Sequence, residues 1–101
     1  MLDYLENNVV RWAIQRNLIK GCTPRDQFAK LVEEVGELSK EITRGTQEGQ
    51  TQELGDCLVL LIIIAQQLDL DLEICLEAAY NKIKDRKGTM INGVFVKEQD
   101  L

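Results

Sequence analysis

Acidic side chains recur at helical spacing in two segments of the chain. The first segment contains Glu33, Glu34 and Glu37, and the second contains Glu53 and Asp56. Residues three apart on a helix are neighbours, so Glu34 and Glu37 form one pair of carboxylates. Glu53 and Asp56 form a second pair by the same rule. If the two helices pack together, the pairs converge and predict an oxygen-only site for a hard divalent cation, Mg²⁺ or Mn²⁺.

Each acidic segment also has a purely structural interpretation. A helix carrying several Glu residues commonly presents a solvated face, because Glu favours helix formation. Asp56 lies among apolar residues, and a buried carboxylate requires a partner, either a metal or a salt bridge. Gly36 and Gly55 adjoin the acidic residues and indicate a close approach of helices, either for metal binding or for tight packing. The residues alone leave these alternatives open.

Positive side chains crowd the end of the last predicted helix. The positive residues are Lys82, Lys84, Arg86 and Lys87, and the neutral Asn81 lies beside them. Cations at a helix C-terminus interact favourably with the helix dipole, which is the structural interpretation. Arg and Lys also bind phosphoryl oxygens. A metal site combined with a basic segment indicates a polyphosphate substrate.

Composition narrows the possible functions. The chain has 101 residues, a formal charge of −5 and no His, which predicts a single domain over residues 1–101. The missing His excludes a Ser-His-Asp triad and the usual di-iron bundle with its Glu-x-x-His motif. The acidic balance argues against binding to nucleic acid or to a membrane surface.

The cysteines and the apolar segments predict a cytoplasmic protein. Cys22, Cys57 and Cys75 are odd in number and have no CxxC spacing, so we expect free thiols in a reducing compartment. The first residues lack the apolar segment of a signal peptide. The longest apolar run, from Cys57 to Ala65, is about half of the ~20 residues that a membrane span needs.

Hydrophobic periodicity predicts an all-α, four-helix bundle-like protomer with a short C-terminal tail that is extended or forms a hairpin. The helices are expected at about residues 3–18, 24–44, 51–68 and 71–86. Thr23 as the N-cap, Pro24 at the first helical position and Asp26 three residues after the cap mark the start of the second helix, and Gly45 marks its end. The third helix is apolar on all sides, so we expect a second subunit to cover part of it. Asn92-Gly93 between apolar residues predicts the hairpin turn.

The order of these motifs resembles the MazG-like nucleoside triphosphate pyrophosphohydrolases, which belong to the all-α NTP pyrophosphohydrolase superfamily. The two acidic motifs carry the resemblance, together with the basic segment from Ala79 to Gly88 and shorter similarities at Trp12–Arg16 and Lys30–Leu31. The resemblance implies a homodimer or homotetramer. It also implies Mg²⁺-dependent cleavage of a nucleoside triphosphate between its α and β phosphates, with Mn²⁺ able to replace Mg²⁺.

The same resemblance implies a role for individual residues. The metal ligands would be Glu34, Glu37, Glu53 and Asp56. Glu33 and Glu37 would form the catalytic set, with Glu33 assisting a second ion or orienting the attacking water. The substrate contacts would be Lys30, Asn81, Lys84, Arg86, Lys87 and the ring of Trp12. Leu60 would line the base pocket, and Tyr80 is a second aromatic candidate for stacking on the base.

Two alternatives remain at this stage. The chain could be a non-catalytic helical oligomerisation or adaptor module whose acidic pairs form surface salt bridges. Such a protein would show no Mg²⁺-dependent change in melting temperature, whereas an ion that binds the native state stabilises it. Within the enzyme class, the substrate could be dUTP, dCTP or another specialised nucleotide.

Overall fold

The computed structural model describes residues 1–101 and contains four α-helices followed by a β-hairpin. The helices are α1 (Leu2–Gln15), α2 (Pro24–Arg44), α3 (Gln47–Gln67) and α4 (Leu72–Ile83). The strands are β1 (Gly88–Ile91) and β2 (Val94–Lys97), and a short 3₁₀ helix covers Glu98–Asp100. This confirms a mostly helical chain with a small C-terminal hairpin. None of the helices combines the length and the hydropathy needed to cross a bilayer.

The chain divides into two compact units, residues Met1–Asp71 and residues Leu72–Leu101. The first unit contains α1, α2 and α3, and the second contains α4 and the hairpin. Each unit contains its own cluster of charged side chains, acidic in the first unit and basic in the second.

The start of α2 is built by a capping box, as its sequence predicts. The Asp26 backbone N–H donates to Thr23 Oγ1 over 3.1 Å, and the Thr23 N–H donates to Asp26 Oδ2 over 2.9 Å. These two bonds satisfy N–H groups that have no partner within the helix. The bond from the Thr23 backbone also lowers the pKa of the Asp26 carboxyl. Pro24 is the first helical residue.

Two helices end earlier than the sequence predicts. α1 stops at Gln15 rather than near Leu18, because Asn17 adopts a left-handed backbone with φ 58°, a conformation that ends helices. α4 stops at Ile83 rather than near Arg86. There the Arg86 N–H bonds to the Ile83 carbonyl three residues back, over 2.9 Å. The basic residues that follow α4 therefore lie on a turn and not on a helical face.

The core of the first unit lies where α3 packs against α1 and α2. The buried apolar side chains come from α1 and α3: Ala13, Cys57, Leu60, Ile62, Ile63 and Ala65. α2 contributes no buried residue, although its apolar stripe is long. Leu60 is thus part of the core, and its contact with a base stays a prediction. The three cysteines are free, as predicted.

Two apolar stripes of the first unit remain uncovered. On α2, Phe28, Val32 and Val35 are each at least half exposed. On α3, Leu58 and Leu61 are exposed by 49% and 42%. A contiguous apolar surface of this kind is typical of an interaction site. The second subunit expected from the sequence stays a prediction, and these stripes are the surface it would cover.

The hairpin of the second unit forms at the predicted dipeptide. β1 and β2 pair antiparallel, with Ile91 opposite Val94 and Gly88 opposite Lys97. Asn92 and Gly93 between them have φ values of 51° and 82°. Two consecutive positive φ values define the type I′ turn, which Asn-Gly favours because its twist matches that of the strands.

Candidate active site

Three of the predicted metal ligands converge between α2 and α3. Glu34 of α2 and Glu53 and Asp56 of α3 each offer one carboxylate oxygen, and the three oxygens lie within 4.8 Å of one another. Glu53 and Asp56 lie three residues apart on α3, and the antiparallel return of the chain brings Glu34 to the same place. The structure therefore brings together carboxylates from both acidic segments.

Glu53 is the carboxyl of this group whose pKa is perturbed by its surroundings. Its Oε2 atom is buried and has no hydrogen-bond partner. The pKa of Glu53 is raised from 4.5 to about 7, first because its carboxyl shares a hydrogen bond with that of Glu34. Burial and the negative charges of Glu34, Asp56 and Glu37 raise it further. A proton shared with Glu34 relieves this repulsion, and a cation between the carboxylates would do the same.

Lys30 lies on the α2 side of the site. Its Nζ atom is 3.7 Å from Glu34 and 3.3 Å from Glu33, and the hydrogen bond with Glu33 is the main cause of its raised pKa. The Glu34 side chain is only 17% exposed, whereas that of Glu33 is 69% exposed. Glu33 thus points outward, as its helical position predicts, while Lys30 partly balances the charge of Glu34.

Glu37 lies outside the group of three carboxylates. Its side chain is 52% exposed and pairs with Lys40 over 3.4 Å on the same helix. Its charge still acts on the site, because it contributes to the raised pKa of Glu53. The roles of Glu37 as a metal ligand and of Glu33 as a catalytic residue stay predictions.

Glu41 holds the turn that brings the two helices together, a role that the spacing did not predict. Its carboxylate accepts a hydrogen bond from the Thr46 N–H over 3.3 Å, and its carbonyl accepts one from Gln50 Nε2 over 3.0 Å. A Cβ at Gly45 or Gly49 would collide with the Glu41 carboxylate. These contacts define the α2–α3 turn lock, which lies one turn of α3 before Glu53.

The turn lock also explains why α3 begins at Gln47, four residues before the predicted start at position 51. Thr46 Oγ1 accepts a hydrogen bond from the Gly49 N–H over 3.0 Å and caps the helix. The first turn of α3 is polar, so it shows no apolar periodicity. The signal available in the sequence was the combination of Thr46 with the glycines beside it.

The glycines next to the acidic residues do not bring helices of this chain together. A Cβ at Gly36 or Gly55 would meet no other atom within 4 Å, so the predicted close approach is wrong within the protomer.

Cys57, by contrast, is buried beside the carboxylates. Burial is the main cause of its raised pKa, followed by the charges of Glu34 and Glu53. Its thiol is therefore held neutral, as expected for a core residue and not for a nucleophile.

The aromatic candidates are more exposed than core residues. Trp12 is 43% exposed, and the Arg16 guanidinium carbon lies 4.8 Å from the centre of its ring. Tyr80 is 58% exposed on α4. The substrate-binding role of Trp12 stays a prediction.

The predicted phosphate-binding residues belong to the second unit. Asn81 lies within α4, whereas Lys84, Arg86 and Lys87 follow its end. Arg86 and Lys87 line one pocket beside the end of the hairpin. Neither Asn81 nor Lys84 lines this pocket, and the roles of all four residues stay predictions.

The donor set of the acidic site fits a hard divalent cation. All three converging ligands are carboxylate oxygens, the donors that Mg²⁺, Mn²⁺ and Ca²⁺ prefer. The buried Oε2 of Glu53 lacks a hydrogen-bond partner, and a cation would supply the missing positive charge. The fold and this site define a helical domain with a cluster of carboxylates that could hold a metal ion.

Comparison with protein families identifies the chain more closely. The family described as MazG nucleotide pyrophosphohydrolase domain matches residues 23–91, which is more than half of the chain. The protein belongs to this MazG family, as the order of its motifs predicts. The matched residues contain both acidic motifs and α4, but neither Trp12 nor β2.

A phage protein is similar over most of the same length. The chain is 39% identical over 70 residues to the "Uncharacterized 18.2 kDa protein in rep-hol intergenic region" of Haemophilus phage HP1 (strain HP1c1). The match covers 69% of this chain and 43% of the phage protein, so the chain spans less than half of that relative. No solved structure matches the chain.

Proposed function

We propose that this chain is a Mg²⁺-dependent nucleoside triphosphate pyrophosphohydrolase. It would cleave the α–β phosphoanhydride of ribo- or deoxyribonucleoside triphosphates and release a nucleoside monophosphate and pyrophosphate, with Mn²⁺ able to replace Mg²⁺. Family membership supports nucleotide pyrophosphohydrolase activity in general. The observation that carries the finer proposal is the convergence of Glu34, Glu53 and Asp56 within 4.8 Å.

The carboxylates have distinct proposed tasks. Glu34, Glu53 and Asp56 would hold the ion, which supplies charge neutralisation at the phosphoryl oxygens and a more acidic water. Glu37 and Glu33 are the candidates to accept the proton of the water that attacks phosphorus, because both are exposed beside the site. The water oxygen forms a new bond to phosphorus, the anhydride bond breaks, and pyrophosphate leaves.

The cations bind and orient the substrate in this proposal. Lys30 lies within 3.7 Å of Glu34 and is placed to contact a substrate at the acidic site. Asn81, Lys84, Arg86 and Lys87 are the proposed phosphate contacts of the α4 segment. Cys57 takes no part as a nucleophile, because it is buried and its pKa is raised.

We further propose a homodimer or homotetramer as the working form. The support is the uncovered apolar surface of α2 and α3, where Phe28 is 58% and Leu54 is 55% exposed. Leaving so many large apolar side chains in water forgoes roughly 1.5–3 kcal/mol for each that a partner would fully bury. Light scattering at micromolar concentration tests this: a dimer or tetramer is expected, and a monomer contradicts it.

The activity is tested with a panel of ribo- and deoxyribonucleoside triphosphates in the presence and absence of Mg²⁺. Pyrophosphate and orthophosphate release are scored separately. We expect pyrophosphate, released only with the divalent ion, from at least one nucleotide. Orthophosphate release, or no release from any nucleotide, would contradict the proposal. A melting temperature unchanged by Mg²⁺ would favour the adaptor alternative instead.

A further inference from the structure

A second charged pocket lies wholly within the second unit. It has a volume of about 630 Å³, and its lining includes Lys82, Arg86 and Lys87 from the end of α4 and the segment after it. Lys97, the last residue of β2, lines the same pocket. Four positive side chains from two parts of the chain thus surround one space, which we call the basic pocket.

The hairpin is what brings Lys97 to the basic pocket. Gly88 at the start of β1 pairs with Lys97 at the end of β2. The Glu98 N–H donates a hydrogen bond to the Lys87 carbonyl over 2.8 Å and ties the far end of the hairpin to the segment after α4. A Cβ at Gly88 would collide with the Val96 carbonyl, so this close pairing depends on glycine.

The charges of the basic pocket are not neutralised within the chain. The salt bridges Lys30–Glu33, Lys30–Glu34 and Lys40–Glu37 join residues of α2, and none of them involves a cation of the pocket. Asp85 and Glu98 also line it, but neither pairs with these cations, and four positive charges against two negative ones leave an excess of two. Unpaired like charges repel one another, and a multivalent anion relieves that repulsion.

We propose that Lys97 of the hairpin is a further ligand of an oligophosphate chain, bound in the basic pocket beside Arg86 and Lys87. This rests on the proposed function for the source of the chain, either the triphosphate of the substrate or the pyrophosphate product. Lys97 lies beyond residues 23–91, the part that matches the family. The hairpin would therefore add a phosphate ligand to the basic segment of α4.

Calorimetric titration with sodium tripolyphosphate, in buffer without divalent metal, tests the proposal on the full chain. We expect Lys97→Gln to weaken tripolyphosphate binding about tenfold, since one charge-assisted hydrogen bond is lost. Lys20→Gln is the matched control, because Lys20 is an exposed lysine of the first unit without an ion pair. It should change the affinity less than twofold. Lys97→Arg should restore most of the binding, and Glu98→Gln should tighten it.

Equal binding by wild type and Lys97→Gln would overturn the proposal, and so would equal weakening by Lys20→Gln. If Lys97→Gln does not fold, as judged by circular dichroism, the Glu98→Gln result decides: tighter binding supports the pocket, and unchanged or weaker binding overturns it. Repeating the titration with pyrophosphate identifies the source. Tighter binding of tripolyphosphate indicates the substrate chain, and tighter binding of pyrophosphate indicates the product.

Activity separates this proposal from the proposed function. In a nucleotide assay, Lys97→Gln should raise KM about tenfold and leave kcat within twofold, as expected when uniform binding is lost. Lys97-dependent tripolyphosphate binding without any nucleotide hydrolysis would leave the basic pocket standing and refute the proposed function. Pyrophosphate release by the wild type, together with tripolyphosphate binding that Lys97→Gln leaves unchanged, would support the proposed function and refute the role of Lys97.

Discussion

The acidic site of the first unit and the basic pocket of the second unit hold their charges in different ways. Glu34 and Glu53 are half-buried and Asp56 is exposed, and all three stand on two long helices that pack together. Lys82, Arg86 and Lys87 are exposed, and a turn and a hairpin hold them together. Half-buried like charges need packed helices to hold them close together. Exposed like charges can be held by local hydrogen bonds alone. The acidic site should therefore tolerate substitution less well than the basic pocket.

The largest effect is expected at Asp56. Asp56→Asn keeps the shape of the side chain but removes one of three converging negative charges, so turnover should fall about 10³-fold, equivalent to about 4 kcal/mol of barrier. Steady-state pyrophosphate release with Mg²⁺ measures it. Asp3→Asn, in the exposed first turn of α1, is the control and should keep full activity. Near-normal turnover of a folded Asp56→Asn protein would remove Asp56 from the metal site.

A second, smaller effect on turnover is expected at Glu37. Its pairing with Lys40 places it outside the group of three carboxylates, yet it is a predicted ligand and catalytic residue. Glu37→Gln should lower turnover about 10²-fold while the fold survives, as loss of a general base does, whereas Lys40→Gln should leave turnover nearly unchanged. Equal activity of Glu37→Gln and wild type would restrict the site to Glu34, Glu53 and Asp56.

The next effect concerns pH. The pKa of Glu53 rises from 4.5 to about 7 on folding, so between these values the native state holds a proton that the unfolded state has released. Without metal, stability should therefore fall as pH rises from about 4.5 to about 7 and level off above. Thermal melts across this range measure the slope. Glu53→Gln should flatten it, and saturating Mg²⁺ should raise the melting temperature most near pH 7 and above. An identical slope in Glu53→Gln would contradict the assignment.

A smaller effect is expected at the α2–α3 turn lock. Glu41→Ala removes the acceptor for the Thr46 N–H and should lower the free energy of unfolding by about 1–2 kcal/mol, as loss of a helix cap does. Because the lock sets the register between Glu34 and Glu53, Mg²⁺ affinity should fall as well. Glu48→Ala removes a charge from the same first turn of α3 and is the control. Calorimetric Mg²⁺ titration is done at a temperature where both variants are folded. Any loss of Mg²⁺ affinity then reflects a change in helix register and not unfolding.

The smallest effects come from two glycines, one in each unit. Gly36 lies within α2 with open space around it, so Gly36→Ala should stabilise the protein by up to about 1 kcal/mol through helix propensity. Gly93 has φ 82° in the hairpin turn, so Gly93→Ala should cost about 1 kcal/mol of backbone strain. Chemical denaturation measures both. Destabilisation by Gly36→Ala would indicate that another chain or a ligand contacts this position.

The sequence predicted those features that local chemistry determines. The Thr23–Asp26 capping box and the Asn92-Gly93 turn depend on residues within a few positions of one another, so their signals are visible in the chain. The convergence of Glu34 with Glu53 and Asp56 was predictable from helical spacing once the two helices were assumed to pack. Family membership followed from the same motifs in order.

The remaining features depend on where the chain returns, which spacing alone does not give. By its spacing Glu41 is only another acidic residue of α2, but the turn at Gly45 makes it the partner of Thr46. The first turn of α3 is polar, so hydrophobic periodicity did not indicate where that helix starts. Lys97 lines the same pocket as Lys87 only because the register of the hairpin brings Lys97 opposite Gly88. In each case the missing information was a tertiary contact rather than a propensity.

The most direct test is a crystal of the full chain grown with Mn²⁺ and measured for anomalous scattering. An anomalous peak within bonding distance of the Glu34, Glu53 and Asp56 carboxylates, absent from crystals of Asp56→Asn, is the result expected here. The opposite result would be the same three carboxylates turned apart into bulk water, with no peak between them at saturating Mn²⁺.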